Sequence, residues 1–205
     1  MRGRFISLEG GEGAGKSTQL KRLAEALRAR GLDVIETREP GGSPGAEAIR
    51  ALLLQGEDDR WTPEAEALLF AAARADHVAK TIKPALERGA WVLSDRFLDS
   101  SLAYQGGAWG LGIAQVRALH EFGSRGFLPD RTLLLTLPDA PDRARARDTE
   151  GADRIGGRDA AYHAKVAAAF EEIAAAEPER CRTIDASGTP EDVTSRLLAA
   201  IEDLL

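Results

Sequence analysis

A glycine-rich segment near the N-terminus constrains the fold of this chain more than any other feature. Residues 10–17 read GGEGAGKS, which matches the pattern G-x-x-x-x-G-K-[ST]. The mostly apolar run Phe5–Glu9 precedes this segment, and apolar residues recur at the i, i+3, i+4, i+7 spacing from Leu20 to Leu27 after it. The sequence therefore predicts a buried β-strand, a glycine-rich turn and an amphipathic helix over about 16–30.

The glycine-rich turn has the composition of a loop that holds polyphosphate. Its glycines let successive backbone N–H groups point inward, and the N-terminus of the following helix adds positive potential. Lys16 would reach the β- and γ-phosphates of a nucleoside triphosphate, and the Ser17 hydroxyl would ligate Mg²⁺. The alternative is a flexible turn with a chance lysine, and the flanking strand and helix argue against it. The predicted triphosphate-binding residues are Gly10, Gly11, Glu12, Gly13, Ala14, Gly15, Lys16, Ser17 and Thr18.

Short apolar runs alternate with helical patterns along the whole chain, which is typical of parallel βαβ units with helices on both sheet faces. We expect one α/β domain over 1–205 with the three-layer P-loop NTPase fold, a five-stranded parallel sheet and a short arginine-rich lid at about 143–158. The predicted strands are Phe5–Glu9, Val34–Thr37, Ala90–Ser94, Arg131–Leu137 and Arg182–Asp185. The predicted helices cover about 16–30, 45–54, 63–88, 99–105, 113–125, 159–176 and 190 to the end, and Pro84 is expected to kink or end the third.

Composition excludes several classes of protein. The chain has 205 residues, 27 basic and 33 acidic, and a net charge of −6, which argues against binding of long nucleic acids. It contains no asparagine, so it lacks the Asn-Lys-x-Asp box with which GTPases of the Ras type read guanine. Cys181 is the single cysteine, which indicates a reducing compartment. No apolar stretch approaches the roughly 20 residues needed to span a bilayer, so the sequence predicts a cytoplasmic protein with no membrane association.

Two residues after the third predicted strand have charges suited to phosphate chemistry. Asp95 follows an apolar strand at the edge of the sheet where open α/β sheets bind ligands, and there a carboxylate can hold Mg²⁺. Arg96 can fork across phosphate oxygens, which a planar guanidinium does better than lysine. A surface ion pair at a strand end is the less favoured alternative when the pair is taken alone.

Four further segments complete a series with the glycine-rich loop. The series reads F-I-x-x-E-G-x-x-G-x-G-K-S-T from Phe5, T-R-E-P-G-G from Thr37, L-L-F-x-A-x-R from Leu68, D-R-F-x-x-S-S-x-A-Y-Q-G from Asp95, and D-R at Asp153. In this order it resembles bacterial thymidylate kinases and spans nearly the whole chain. The resemblance implies a P-loop nucleoside monophosphate kinase that uses ATP and Mg²⁺ to convert dTMP to dTDP. A kinase for another nucleoside monophosphate or for a deoxynucleoside, and a P-loop ATPase switch, remain the alternatives.

The resemblance also assigns residues to the nucleotide base. Phe70 and Arg74 lie at i, i+4 and share one face of a helix, although the residues alone are equally compatible with a core phenylalanine and a solvated arginine. In the family, Phe70 would stack on thymine and Arg74 would contact its O4. Ser101 and Gln105 would face the base, and Tyr104 would crowd the 2′ position of the sugar.

The resemblance assigns the remaining polar residues to the acceptor nucleotide. Glu12 would bind the 3′-hydroxyl of dTMP, because bound polyphosphate would repel its carboxylate unless the carboxylate is directed towards another group. Arg38 and Arg50 are candidates for the acceptor phosphate, and Pro40 would shape the loop that approaches it. Arg96 would bind substrate phosphate.

Arginines of the lid complete the predicted catalytic set. Gly13 stands where some thymidylate kinases have a catalytic arginine, and enzymes with glycine there supply an arginine from the lid. Arg154 is the first choice among the candidates, and the predicted catalytic residues are Lys16, Arg96, Arg154 and Glu12. The resemblance further implies a homodimer joined through helices that include the one at 63–88. The other lid candidates are Arg143, Arg145, Arg147 and Arg158.

Overall fold

The computed structural model of the chain describes residues 2–57, 59–137 and 158–205. Within them lies one sheet of five parallel strands, as the alternating pattern predicts. Arg154 and the lid candidates at 143, 145 and 147 lie outside the described residues. The strands are β1 (Phe5–Glu9), β2 (Val34–Arg38), β3 (Trp91–Asp95), β4 (Arg131–Thr136) and β5 (Cys181–Asp185).

The helices follow the predicted pattern closely and begin at recognisable caps. The side chains of Ser43, Thr62, Asp159 and Thr189 each accept a backbone N–H at the start of a helix, three of them just before a proline. The helices are α1 (Lys16–Ala29), α2 (Pro44–Leu54), α3 (Pro63–His77), α4 (Lys83–Glu87), α5 (Leu98–Ser101), α6 (Ile113–Ser124), α7 (Ala160–Ala176) and α8 (Pro190–Ala199).

The observed helices differ from the predicted ones in two π-helical segments. Val78–Ile82 joins α3 to α4, so the predicted helix at 63–88 continues past Pro84 instead of ending there. Proline cannot donate the usual helical hydrogen bond, and a π turn just before it accommodates that loss. The second segment, Leu102–Ala108, continues α5. No helix among the described residues is long and apolar enough to cross a membrane.

The strand order β2-β3-β1-β4-β5 determines where loops meet. β1 lies in the centre and pairs with β3 on one side and β4 on the other. The chain after β1 and the chain after β3 therefore leave neighbouring strands at the same edge, where Leu8 pairs with Asp95. Ligands of open α/β sheets bind at such a switch in strand order.

Both faces of the sheet are covered by hydrophobic cores. Successive residues of β4 alternate between them: Leu134 packs into one cluster, while Leu133 and Leu135 pack into the other. Helices α1 and α8 cover the face of Leu133, and helices α4, α6 and α7 contribute to the opposite cluster. The central strands are therefore rigid supports for the loops at their carboxyl ends.

Candidate active site

The loop after β1 requires glycine at its bends. Gly10 has φ 135°, and a Cβ atom there would lie 2.4 Å from the carbonyl oxygen of Leu135 on β4. Gly15 has φ 85° and lies immediately before α1, so the helix begins with its free N–H groups directed at the loop. Lys16 is buried, and its Nζ donates to the carbonyl oxygen of Gly11 at 2.8 Å.

The environment of Lys16 favours binding of a negative ligand. Burial, followed by the nearby Arg96 cation, lowers the pKa of Lys16 to about 8. Negative charge brought next to the ammonium would raise its pKa again. The site is therefore suited to an anion that compensates the charges of Lys16 and Arg96.

Ser17 and Asp95 meet where β1 and β3 end. The Ser17 hydroxyl donates to Oδ2 of Asp95 at 2.6 Å. A hydroxyl and a carboxylate oxygen are hard donors of the kind that Mg²⁺ prefers, and Mg²⁺ generally combines one or two such protein ligands with phosphate oxygens and water. By the chemistry of these two donors, Ser17 and Asp95 fit a magnesium site of this shared type. In the described part of the chain, no three or more His, Cys, Asp or Glu side chains form a cluster that could hold a metal.

Arg96 lies at the centre of the site in a rare backbone conformation. Its φ is 69°, in the left-handed region that residues other than glycine seldom adopt. Its guanidinium donates to the carbonyl oxygen of Gly10 at 3.2 Å, to Ser100 Oγ at 3.1 Å and to the Tyr104 hydroxyl at 3.2 Å. It also pairs with Glu12, and this guanidinium is the main reason that the pKa of Glu12 is lowered. The Glu12 carboxylate is thus directed to the Arg96 guanidinium.

Glu9 holds the turn that contains Arg96. Its carboxylate is fully buried and accepts the backbone N–H of Phe97 at 2.7 Å and the Ser100 hydroxyl at 2.6 Å. Burial, reinforced by the charge of Asp99, raises the pKa of Glu9 to about 7.

Arg74 is fixed by a buried polar network instead of being solvated. Its Nε donates to Glu39 Oε2 at 2.7 Å, and its Nη2 donates to the Phe97 carbonyl oxygen at 3.1 Å and to Ser101 Oγ at 2.8 Å. Glu39 Oε1 lies 3.0 Å from Nδ1 of His77, which is also buried. Arg74 is 3% exposed, so its remaining contacts with a ligand are limited to the cleft side of the guanidinium.

Gln105 belongs to a second buried network. Its Nε2 donates to Glu66 Oε1 at 2.8 Å, and Glu66 Oε2 accepts from Arg158 Nη2 at 2.9 Å. The Arg158 guanidinium lies over the rings of Trp109 and Tyr162, with its Cζ 4.3 and 4.7 Å from the ring centroids. Arg158 is therefore held beside α3, although the sequence grouped it with the lid.

One cleft of about 270 Å³ brings the predicted residues together. Five basic side chains line it against three acidic ones, so the cleft is basic within an acidic chain. Arg38 pairs with Glu47 at 3.2 Å, and Arg50 donates to the Pro40 carbonyl oxygen at 2.7 Å. The predicted residues that line the cleft are Glu12, Lys16, Ser17, Arg38, Pro40, Arg50, Phe70, Arg74, Asp95, Arg96, Ser101, Tyr104 and Gln105.

The residues that the sequence analysis missed are mainly acids that support the basic residues. Glu9, Glu39 and Glu66 are all buried, and each accepts hydrogen bonds from groups that line or border the cleft. Two of them gave a local signal, because Glu9 ends an apolar strand and Glu39 precedes a proline in a turn. Glu66 gave no such signal, since its position in the first turn of a helix is ordinary for an acid.

The fold and the site together define the class of protein to which the chain belongs. Because the glycine-rich loop and Asp95 meet at the edge where a parallel sheet binds ligands, the chain is a P-loop nucleotide-binding protein with room beside the loop for a second small molecule. The family model for thymidylate kinase matches residues 8–197. The chain therefore belongs to the thymidylate kinase family, whose members use ATP as the phosphoryl donor.

Individual relatives agree with the family model. The chain is 65% identical to the thymidylate kinase of Rhizorhabdus wittichii over 207 residues, which cover 100% of both chains. It is 51% identical to that of Caulobacter vibrioides over 99% of this chain and 96% of the relative. The crystal structure of thymidylate kinase from Ehrlichia chaffeensis matches with a TM-score of 0.78 at 30% identity, covering 98% of this chain and 99% of that one. The predicted family, P-loop fold and assignment as a dTMP kinase are thereby confirmed.

Proposed function

We propose that this chain transfers the γ-phosphoryl group of ATP to dTMP, releasing ADP and dTDP, in a Mg²⁺-dependent reaction. The observation that carries the proposal is the single cleft in which Lys16 and Ser17 of the loop face the same space as Phe70 and Arg74. A kinase needs its donor and acceptor sites to be continuous, because the phosphoryl group passes directly between them.

The donor side is formed by the loop after β1. Backbone N–H groups of residues 10–18 would surround the phosphates of ATP, and Lys16 would replace its bond to the Gly11 carbonyl by contacts with the β- and γ-phosphates. Ser17 and Asp95 would hold Mg²⁺, which supplies neutralisation of phosphate charge when it is bound. The buried position of Lys16 makes each of these charge interactions stronger than in water.

The acceptor side is formed by α3 and the segment after β3. Phe70 would stack on the thymine ring, and Arg74 would donate to its O4. Arg38 and Arg50 would bind the phosphate of dTMP near Pro40, and Glu12 would accept from the 3′-hydroxyl. Each of these residues lines the cleft, which supports the assignment, and the remaining substrate residues are Ser101, Tyr104 and Gln105.

Transfer itself needs alignment and charge neutralisation more than a reactive side chain. An oxygen of the dTMP phosphate attacks the γ-phosphorus while the bond to the β,γ-bridging oxygen breaks and ADP leaves. Arg96 already donates in several directions and would bridge donor and acceptor phosphates. Arg154 stays the predicted lid arginine that completes the charge around the transferring group.

We also propose that the chain acts as a cytoplasmic homodimer built from a single domain. Apolar side chains exposed on three neighbouring helices support the dimer. Phe122 on α6 is 93% exposed, Leu68 on α3 is 55% exposed, and Leu52 on α2 is also exposed. Helices α2 and α6 both pack against α3. A surface of this kind favours contact with a second apolar surface.

A coupled assay of ADP release tests the proposed reaction. We expect turnover with dTMP that depends on Mg²⁺ and exceeds turnover with AMP, dCMP, dGMP or thymidine. Lys16→Ala removes the cation at the phosphates and should lower kcat by roughly 10³-fold or more. Lys21→Ala, an exposed lysine on the same helix, is the matched control and should keep normal activity.

The same assay separates the alternatives. Preferential turnover of another monophosphate or of a deoxynucleoside would show that the chain is a kinase with a different acceptor. ATP hydrolysis that ignores every acceptor would indicate a P-loop switch instead. Near-normal turnover of Lys16→Ala would contradict the role of the loop.

A further inference from the structure

Three residues of α3 form a stripe that faces the base pocket. Glu66, Phe70 and Arg74 lie at i, i+4 and i+8, so they occupy one side of the helix. Glu66 binds Gln105 and Arg74 binds Ser101, which lies one turn before Gln105. Phe70, Arg74 and Gln105 line the same cleft, so the side chains of Arg74 and Gln105 are both available to the edge of a ring stacked on Phe70.

The charge of Arg158 decides which atom of Gln105 faces the cleft. Arginine has only donors, and Arg158 forms an ion pair with Glu66 at 2.9 Å, in which the Glu66 carboxylate oxygens act as hydrogen-bond acceptors. Gln105 must then turn its amide nitrogen to Glu66, as the 2.8 Å bond records. Its Oε1 is left with no hydrogen-bond partner among the described residues and is not sealed from the cleft.

Arg74 presents the complementary group. Its Nε and Nη2 are occupied by Glu39, Phe97 and Ser101. Its Nη1 has no partner in the described part of the chain and is likewise not sealed from the cleft. The pocket thus offers a donor from Arg74 and an acceptor from Gln105 to the edge of the base.

We infer that Glu66, ion-paired with Arg158, is a positioning residue that locks the Gln105 amide so that the pocket accepts the imide edge of thymine or uracil and rejects cytosine. This inference rests on the proposed function. Thymine and uracil present an acceptor at O4 beside a donor at N3–H, which matches the pair in the cleft. Cytosine presents an amino donor to Arg74 and a bare N3 to the carbonyl oxygen of Gln105, so both contacts are repulsive.

Glu66→Gln tests the lock, because it should turn the Gln105 amide over. Arg158 still requires an acceptor, so the new amide would direct its oxygen to Arg158 and its nitrogen to Gln105. Gln105 would then direct its oxygen to residue 66 and its nitrogen into the cleft, where it opposes N3–H of thymine. We expect the ratio of kcat/KM for dTMP over dCMP to fall by about tenfold or more, through KM, with kcat and the KM for ATP nearly unchanged.

Two internal controls accompany this measurement. The ratio for dTMP over dUMP should stay constant in Glu66→Gln, because both bases have the same imide edge. Glu64→Gln, the same change at an exposed position of α3, should leave every ratio at the wild-type value. A dTMP-to-dCMP ratio within about twofold of wild type in Glu66→Gln would overturn the inference, since one lost hydrogen bond alone exceeds that change.

A charge-conserving exchange gives an independent test should the single variant fail to fold. In Glu66→Gln/Gln105→Glu, the amide oxygen of residue 66 still accepts from Arg158. Residue 105 then presents an acceptor to the cleft in either orientation, because both oxygens of its carboxylate accept hydrogen bonds. The preference for dTMP over dCMP should therefore return, and its absence in a folded double variant would count against the lock. If the wild-type chain turns over none of these nucleotides, the proposed function fails, and calorimetric binding of dTMP and dCMP to the same variants then tests the lock by itself.

Discussion

Single residues in this site are held in conformations and ionisation states that they would not adopt alone. Arg96 occupies left-handed backbone, which costs on the order of 1 kcal/mol for a residue with a Cβ. The hydrogen bonds that Glu9 accepts from Phe97 and Ser100 offset this cost by fixing the residues that follow Arg96. The guanidinium that would contact phosphate is therefore held in place by contacts within the protein, as electrostatic preorganisation requires.

The buried Glu9 carboxyl should make stability depend on pH. Its pKa is about 7 in the folded chain and near the ordinary value of about 4.3 when unfolded, so the folded state holds the proton more tightly. The stability that this raised pKa contributes is present in full below about pH 4 and is lost as pH rises through about 7, by at most about 4 kcal/mol. Glu9→Gln should remove this loss.

Urea denaturation at pH 5 and pH 8 measures the effect. We expect the free energy of unfolding of Glu9→Gln, taken relative to that of the wild type, to be higher at pH 8 than at pH 5. Glu25→Gln, at an exposed position of α1, is the control and should follow the wild type at both pH values. Parallel behaviour of wild type and Glu9→Gln would show that Glu9 has an ordinary pKa in the folded chain.

Helices and strands combine strong local signals with features that need the whole fold. Helix α8 begins with a capping box, in which Thr189 Oγ1 accepts from the N–H of Asp192 and Asp192 accepts from the N–H of Thr189. Thr189 followed by Pro190 is a signal that a sequence shows directly. The π-helical segment Leu102–Ala108 has no comparable signal, yet it carries Tyr104 and Gln105 into the cleft.

Thr189→Ala should destabilise the chain through α8. The variant loses the side-chain acceptor at the N-cap, which generally costs about 1 kcal/mol. Helix α8 contributes the buried Val193 and Leu197 to the core that it shares with α1, so loss of the cap should lower the global free energy of unfolding. Ser195→Ala, on the exposed side of the same helix, should change it by less than about 0.5 kcal/mol. Equal effects of the two substitutions in chemical denaturation would show that the cap is not important here.

At the scale of the whole molecule, the strand order creates the site. β1 and β3 are separated by more than 80 residues of sequence but lie next to each other, so the loop at Lys16 meets Asp95 and Arg96. The same packing leaves Phe122 and Leu68 exposed on adjoining helices. One arrangement thus produces a basic cleft and an apolar outer surface.

The proposed homodimer predicts that a charge on that apolar surface separates the subunits. Phe122→Glu should convert the chain from dimer to monomer in sedimentation or light-scattering measurements, because a carboxylate cannot be buried against apolar side chains without a partner. Leu205→Glu makes a similar change at another exposed apolar position and should leave the mass unchanged. A wild-type chain that is monomeric at all concentrations would refute the proposal.

The sequence alone determined the local structure of this protein. Spacing of apolar residues, helix caps and glycines specify strands and helices because those signals act within a few residues, and the glycine-rich loop specifies its ligand class because its chemistry is contiguous. The tertiary structure decided which side chains support the site. Glu9, Glu66 and Glu39 receive their partners from distant elements, and only burial makes those contacts obligatory, because an acid removed from water must be paired or protonated.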